Sequence, residues 1–566
     1  MKFIIMHNIF RNIANIFRSP ADTYSDVINI GLPSLRGRAG GEVAGLFLSL
    51  LIFTSCADLD QTSLSSIDRD NFYKSKQDIE TAINGIYQEF TVDGFYGMFN
   101  NQSVYINDLQ TDYVKAGAQT NSAHIRELSN FAIQPTNLFV GYAWEEHYTA
   151  INRANVVIDK LTDADWIDDQ SKENYINEAR FLRGLMYFNL VRYFGGVPIV
   201  LHDGEGEGAP RNSIDEVYEQ IVSDFKAAEN LPDNYSNRDS KPSRLSAEAL
   251  LSKVYLVWAQ TLTEKGRANQ KEYYKNAIDY AQKVIDSGKY RLIDKFIDNW
   301  SVDKKNGPEH IFTVEHDRTI NGNVSGHCTF ATNWSDAEPV LLATSDKYYE
   351  QTDPRDQRRD GSWAKKLYDP NTGKDFVFTI PRFRKYIDSL NYAKPESSGN
   401  AAGQSTNTVI IRYAEILLIK AEAENELNGP TAAAYDAINQ VRRRAYWNPY
   451  TNVQNKPSDG SDLDLKGLTQ EQFRERLREE RRLEFVLEGQ RWFDLIRWHI
   501  LVKYVKANTP TDAETLGTKT TKIQNVSKKN YLLPLPQDQI ILNPNLEQNW
   551  GYNGETGDGP YGPEYQ

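Results

Sequence analysis

Cysteine is almost absent: Cys56 and Cys328 are the only two in 566 residues. That excludes a disulfide framework and any cysteine-rich metal site. Histidine is sparse as well, at eight. His310, His316 and His327 fall within one stretch, but they form no His-Glu-x-x-His pattern and no cysteine set supports them, so neither a metal nor another cofactor is expected. Positive charge is in deficit, with a net of −13. Phosphate binding needs clustered cations, so a nucleic-acid partner is not expected. No Gly-x-Ser-x-Gly elbow and no phosphate-binding loop occurs. The 77 acidic residues make close carboxylate pairs inevitable, so such pairs identify no hydrolase. On this reading the chain is not an enzyme.

A membrane-spanning run of about 20 apolar residues is missing too. The longest apolar stretch, Val43–Phe53, has 11 residues. With Arg36 and Arg38 before it, it reads as the apolar core of an export signal. It ends in Phe53-Thr54-Ser55-Cys56, which resembles a bacterial lipoprotein signal: small residues precede a cysteine that becomes the acylated N-terminus. A plain secretory signal also ends in small residues. Each buried CH₂ contributes about 0.8 kcal/mol, so two or three acyl chains on Cys56 would hold a protein durably on a membrane. Removing residues 1–55, which carry five basic and three acidic side chains, leaves the remainder more acidic still. The anchor would then be lipid and not a basic patch. Asp58 and Asp60 just beyond Cys56 fit outward export. Residues 1–35 place the cleavage point beyond the usual range, and no function is read from them.

What the sequence does hold is a globular composition, 40% hydrophobic and 25% charged, rich in rings at 32 Tyr and 10 Trp. Helical periodicity dominates. Ile79, Ala82, Ile83, Ile86 and Tyr87 share one stripe within Asp78–Tyr87. Further helix patterns cover Tyr142–Leu161, Tyr175–Phe194 (stopped by Gly195-Gly196-Val197-Pro198), Ser213–Leu231 (with Ser213 and Glu216 as a capping box), Ser246–Thr261 and Tyr273–Ser287. Ile411–Asn428 and Thr431–Ala445 flank Gly429-Pro430. Together they make a unit of 35 residues, close to the roughly 34-residue tetratricopeptide period, although any antiparallel helical hairpin gives that pattern. The segment 291–410 has short alternating runs such as Ile311–Glu315 and reads as irregular with a few strands. Arg474–Glu484 reads as a charge-laced solvated helix with pairs Glu475/Arg478, Glu479/Arg482 and Arg476/Glu480. Arg491, Asp494 and Arg497, beside Trp492 and Trp498, read as structural packing.

Several motifs occur in a fixed order. They are Asn71-Phe-Tyr73, Ala82-Ile-Asn-Gly-Ile-Tyr87, Trp144 with Ile151-Asn-Arg-Ala-Asn155, and Glu178-Ala-Arg-Phe-Leu-Arg-Gly184 with Tyr193-Phe-Gly-Gly-Val-Pro198. Arg412-Tyr-Ala-Glu-Ile-Leu-Leu418, Ala421-Glu422-Ala423, Ile438-Asn-Gln-Val-Arg442, Glu479-Glu-Arg-Arg482, Glu488-Gly489, Arg491-Trp-Phe-Asp-Leu495 and Arg497-Trp498 follow. Leu533-Pro-Leu-Pro536 and Asn543-Pro-Asn-Leu-Glu-Gln-Asn549 close the series. In this order they resemble the SusD/RagB family of outer-membrane lipoproteins. The resemblance implies a mainly α, SusD-like fold with four tetratricopeptide-like helix pairs plus an irregular ligand-facing region with a few short strands. It divides the chain into a signal region 1–55, a helical region 56–290, a loop-rich segment 291–410 and a C-terminal region 411–566. It also implies a non-enzymatic protein at the cell surface that captures oligosaccharide and delivers it to a SusC-like TonB-dependent transporter. A lipid-anchored glycan hydrolase and a tetratricopeptide-like adaptor binding proteins or peptides are the rival readings.

A sugar ring has apolar C–H faces and a polar rim, so rings together with amide and carboxylate side chains suit it. Two turn-rich stretches offer them. The first runs from Asp93 to Asn101 and on to Tyr113, and includes Tyr96. The second is Asn321–Trp334, with Asn333 and Trp334. The resemblance adds Asp108, Asp112, Tyr113 and Asn121 by position, since the matching stretch often lines the family's ligand site. That stretch lacks Trp here, which argues against a starch helix as ligand. The expected glycan contacts are therefore Tyr96, Asp108, Asp112, Tyr113, Asn121, Asn333 and Trp334.

Overall fold

The helices begin where the sequence supplies caps. Ser75 and Asp78 form a reciprocal capping box at the start of α1 (Lys76–Gln88), whose Ile79, Ile83 and Ile86 face inward. The short α2 (Gln102–Leu109) follows, then α3 (Leu138–Thr162), capped by Asn137, and α4 (Asp169–Phe194), capped by Asp168. Ser213 and Glu216 make the expected box at α5 (Ile214–Ala228). Next come α6 (Arg244–Gln260), α7 (Gln270–Asp286), α8 (Tyr413–Asn428), α9 (Ala432–Ala445), α10 (Gln470–Glu484) and α11 (Arg491–Arg497). This computed structural model describes residues 72–91, 102–117, 120, 122–233, 240–317, 341–343, 347–369, 373–386, 405–509 and 521–565. Of these, Ser75 onward forms one compact unit.

Consecutive helices pack each on the next: α3 on α4, α4 on α5, α5 on α6, α6 on α7, α7 on α8, and α8 on α9. A helix with neighbours on both sides is buried nearly all round, and α6 is buried from Leu245 to Gln260, its charged Glu248 and Lys253 meeting Arg244 and Glu415. Small residues set the approach. Ala277 and Ala281 of α7 are fully buried, and around them Trp258 stacks on Tyr218 at 5.3 Å and on Tyr273 at 4.2 Å between ring centres. Gly429, at φ +79, and Pro430 turn the chain between α8 and α9, where Thr431 caps the second helix.

Strands are few and short. Among the described residues they form four two-stranded sheets: β1 (Val114–Ala116) with β3 (Leu341–Ala343), β2 (His310–Val314) with β6 (Thr408–Arg412), the hairpin β4 (Trp363–Asp369) with β5 (Lys374–Phe383), and β7 (Trp447–Asn448) with β8 (Val453–Gln454). All are antiparallel.

The helix α10 corrects the sequence reading. Its outer pairs form as expected, Arg478 to Glu475 at 2.6 Å and Arg482 to Glu479 at 2.8 Å. Arg476/Glu480 does not. Phe473, Leu477, Glu480, Arg481 and Glu484 recur at helical spacing on the face turned to the core, so Glu480 is buried and bonds Arg358 at 2.6 Å and Arg442 at 2.9 Å. Around it, Arg358, Lys385, Arg412, Arg442 and Arg444 interleave with Glu309, Asp356, Glu480, Glu484 and Glu488. Charges at this depth persist only when each meets an opposite one.

Candidate functional site

The stretch 107–121 was expected to line the ligand site, but the structure places Asp108, Asp112 and Tyr113 of that stretch inside. Asp112 is fully buried. Its carboxylate accepts from Arg491 Nε at 3.0 Å and Nη2 at 2.9 Å, and from the Tyr348 hydroxyl at 2.7 Å. Burial alone would raise its carboxyl, but the Arg491 charge and hydrogen bonds hold it below the usual carboxylate range. Tyr113 donates to Asp108 Oδ1 at 3.3 Å and accepts from the Leu487 amide at 3.1 Å. Burial pushes Asp108 up to about 7. Lys522 closes the arrangement by donating to the carbonyls of Leu109 at 2.9 Å and Val114 at 2.8 Å, one at each end of the turn; burial brings its ammonium down to about 7.

Asp108, Asp112 and Tyr113 are therefore core posts and not sugar contacts, because their polar atoms face the interior and none reaches solvent. Sequence position did not reveal that these three residues turn inward. The charges that draw these residues inward, Arg491 and Lys522, lie hundreds of positions away. The remaining expected residues, Cys56, Tyr96, Asn121, Asn333 and Trp334, lie outside the described residues.

What the posts support is β1. It pairs with β3 in the register Val114↔Ala343, Lys115↔Leu342, Ala116↔Leu341. The chain leaves β1 after Ala116 toward Asn121, and it enters β3 at Leu341 from the side of Asn333 and Trp334. In an antiparallel pair those two points lie at the same end. Asn121 and the second stretch are thus joined to one end of one ribbon, whereas the first stretch, with Tyr96, enters β1 at its other end, Val114. Trp363, which begins β4, packs edge-on against Tyr113 at 6.4 Å, and β5 packs against β3. The β4–β5 hairpin therefore rises from the same floor. It escaped the sequence reading, although Pro370-Asn371-Thr372-Gly373 between two runs of strand-forming residues is a hairpin signal.

A cavity of about 40 Å³ lies among Asn107, Asn189, Arg192, Lys253, Glu488 and Gln490. That is room for water, against the roughly 300 Å³ or more of a ligand pocket. His310 Nδ1 accepts from the Gly307 amide at 3.2 Å, and His316 Nε2 lies 3.0 Å from Thr408 Oγ1. Both serve the ends of β2, and His327 lies outside the described residues. Among the described residues no group of three ligating side chains is placed to hold a metal, and no helix is long and apolar enough to cross a membrane.

The motifs noted in the sequence also pin helices together. Arg183 reaches both oxygens of Asp224, at 2.9 and 2.7 Å, and Asn155 Oδ1 at 2.8 Å, which ties α3, α4 and α5. Arg497 binds Glu422 and Asp494, and Trp498 donates to Glu422 at 2.7 Å.

This mainly helical fold with a few short strands is shared with solved SusD-like proteins. A SusD homologue of Bacteroides thetaiotaomicron matches at a TM-score of 0.70 and 26% identity, covering 85% of this chain and 97% of that one. A laminarin-binding SusD-like protein matches at 0.65 and 23%, covering 85% and 100%. In sequence, a SusD-like protein of Formosa agariphila is 29% identical over 539 residues, 88% of this chain and 97% of that one. The profile described as "SusD family" matches residues 256–552, and one described as "Starch-binding associating with outer membrane" matches 59–256. The chain belongs to the SusD family.

Proposed function

We propose that the chain is a surface glycan-binding lipoprotein. Acyl chains on Cys56 hold it to the outer membrane, facing the exterior. Tyr96, Asn121, Asn333 and Trp334 contact an oligosaccharide, which passes to a SusC-like TonB-dependent transporter for import. The chain itself breaks no bond. The observation that carries this reading is the register of β1 against β3, which roots the segment leading to Asn121 and the ring- and amide-bearing stretch of Asn333 and Trp334 at one end of a single ribbon. Rings cover the C–H faces of a sugar, and amides pair with its hydroxyls. A floor held by buried ion pairs limits the ordering cost of binding. The laminarin-binding neighbour and the starch-binding profile support sugar over peptide.

Calorimetry of the mature chain against oligosaccharide and peptide panels tests the ligand. Binding to a glycan is expected; binding to peptides and to no glycan would reject the carbohydrate reading and favour the adaptor. Affinity purification from outer membranes tests the partner. Recovery of a large plugged barrel is expected, and its absence would reject the transporter. Intact mass of the membrane form is expected to show acylated Cys56.

A further inference from the structure

The hairpin β4–β5 presents two unlike faces. Strand side chains alternate, so cross-strand partners share a face. On the inner side Phe378 is 1% exposed and Trp363 is 4% exposed at the root. On the outer side Tyr368 stands opposite Asp375 and Lys366 opposite Val377. All four are open to solvent, Tyr368 at 59% and Val377 at 62%. Lys366 bonds Asp375 diagonally at 2.7 Å. An exposed pair of this kind gains little and exchanges its partners easily. An open ring and an aliphatic side chain, bordered by one donor group and one acceptor group, match the apolar face and hydroxyl rim of a pyranose. The hairpin also packs on the ribbon from which the candidate stretches leave. Its root packs on Tyr113 and β5 lies on β3, the strand that carries the second candidate stretch.

We infer that the outer face of this hairpin is a peripheral glycan subsite, with Tyr368 as its platform and Asp375 and Lys366 as hydroxyl partners. It engages the part of a long oligosaccharide that extends beyond the loops. This rests on the glycan-binding reading above. Short sugars fill the loops alone, so the hairpin sets preference for chain length.

Native gels containing laminarin, starch, xylan or alginate first identify a polysaccharide that retards the wild-type chain. Its disaccharide and its longest soluble oligosaccharide are then titrated into wild type, Tyr368→Ala and Tyr368→Phe. Tyr368→Ala is expected to weaken the long ligand about tenfold and leave the disaccharide unchanged. Tyr368→Phe is expected to bind as wild type does, because the ring face makes the contact. Tyr368 is exposed, so an unchanged melting temperature is expected to show that the fold is intact. Equal affinity of wild type and Tyr368→Ala for the long ligand would overturn the subsite, as would equal loss for both lengths. Retained glycan affinity in Tyr368→Ala with loss of barrel recovery would assign the face to a protein partner instead. Failure of every polysaccharide to retard wild type would reject the glycan-binding reading itself, and the subsite with it.

Discussion

Two buried carboxylates a few residues from the candidate site behave in opposite ways, and the difference lies in their neighbours. Glu484 meets Arg412 at 2.7 Å, Arg358 at 3.1 Å and Arg444. Burial alone would raise its carboxyl, but those guanidinium charges keep it well below the usual range. Its contribution to stability is therefore present above the ordinary carboxylate value and lost as pH falls below it. Asp108 meets neutral donors instead, the Tyr113 phenol and the Gly489 amide. Burial raises it to about 7, opposed by Tyr113, the Gly489 amide and Lys385, and reinforced by Glu488. Here the sign reverses. The folded state keeps a proton that the unfolded chain releases from about pH 4, so stability declines as pH rises from there to about 7. Asp108→Asn cannot ionise. Its melting temperature relative to wild type is expected to rise between about pH 5 and pH 8, corresponding to roughly 1–3 kcal/mol. A difference that stays flat across that range would show that Asp108 does not hold its proton in the fold.

Helices and turns were the legible elements, because their signals are local. The periodic stripes, the Ser213 box and the glycine stops all lie within a few residues of the structure they produce. Gly196 shows how demanding one such stop is. A Cβ there would meet the carbonyl oxygen of Asn212 at 2.2 Å, backbone against backbone, with no flexible side chain to yield. Gly288 ends α7 at φ +64 with open space around it. Gly196→Ala is therefore expected to destabilise by about 2–3 kcal/mol or more, and Gly288→Ala by about 1 kcal/mol from its backbone angle alone. Urea denaturation of both variants checks this, and equal losses would refute the close approach. The site was less legible, because its determinants are not local. Arg491 and Lys522 decide that Asp112 and the turn before β1 face inward, and no pattern near residue 112 announces them. The same holds for α10, whose charges look solvated until Arg358, Arg412 and Arg444 arrive from other elements. The hairpin β4–β5 did carry a local signal, but the many polar residues around it make the region look irregular throughout.

At the scale of the whole molecule, late sequence completes early structure. Leu533 donates to the Tyr193 carbonyl at 2.8 Å, and Asn549 Nδ2 donates to the carbonyls of Phe194 at 3.0 Å and Leu533 at 2.7 Å. Arg211 gathers the Phe194 and Gly196 carbonyls at 2.8 and 2.7 Å together with Asn549 Oδ1 at 2.9 Å. Asn543 reaches the Ala209 carbonyl at 2.7 Å. The residues after 530 thus cap the end of α4, where the chain turns into the loop before α5. Lys522 and Arg491 meanwhile hold the floor beneath β1. Buried carbonyls left without these donors would each cost about 1–3 kcal/mol, so the helical layer and the site floor are expected to fold and unfold with the C-terminal segment as one unit. The mature chain is expected to melt in a single cooperative transition by calorimetry. A chain ended after residue 529 is expected to melt at least about 10 °C lower or to show no cooperative transition, and to lose ligand affinity although every candidate contact residue is still present. Asn549→Ala is expected to fall between the two, a few degrees below wild type. A shortened chain with the native melting temperature would mean that the helical layer stands without its C-terminal cap.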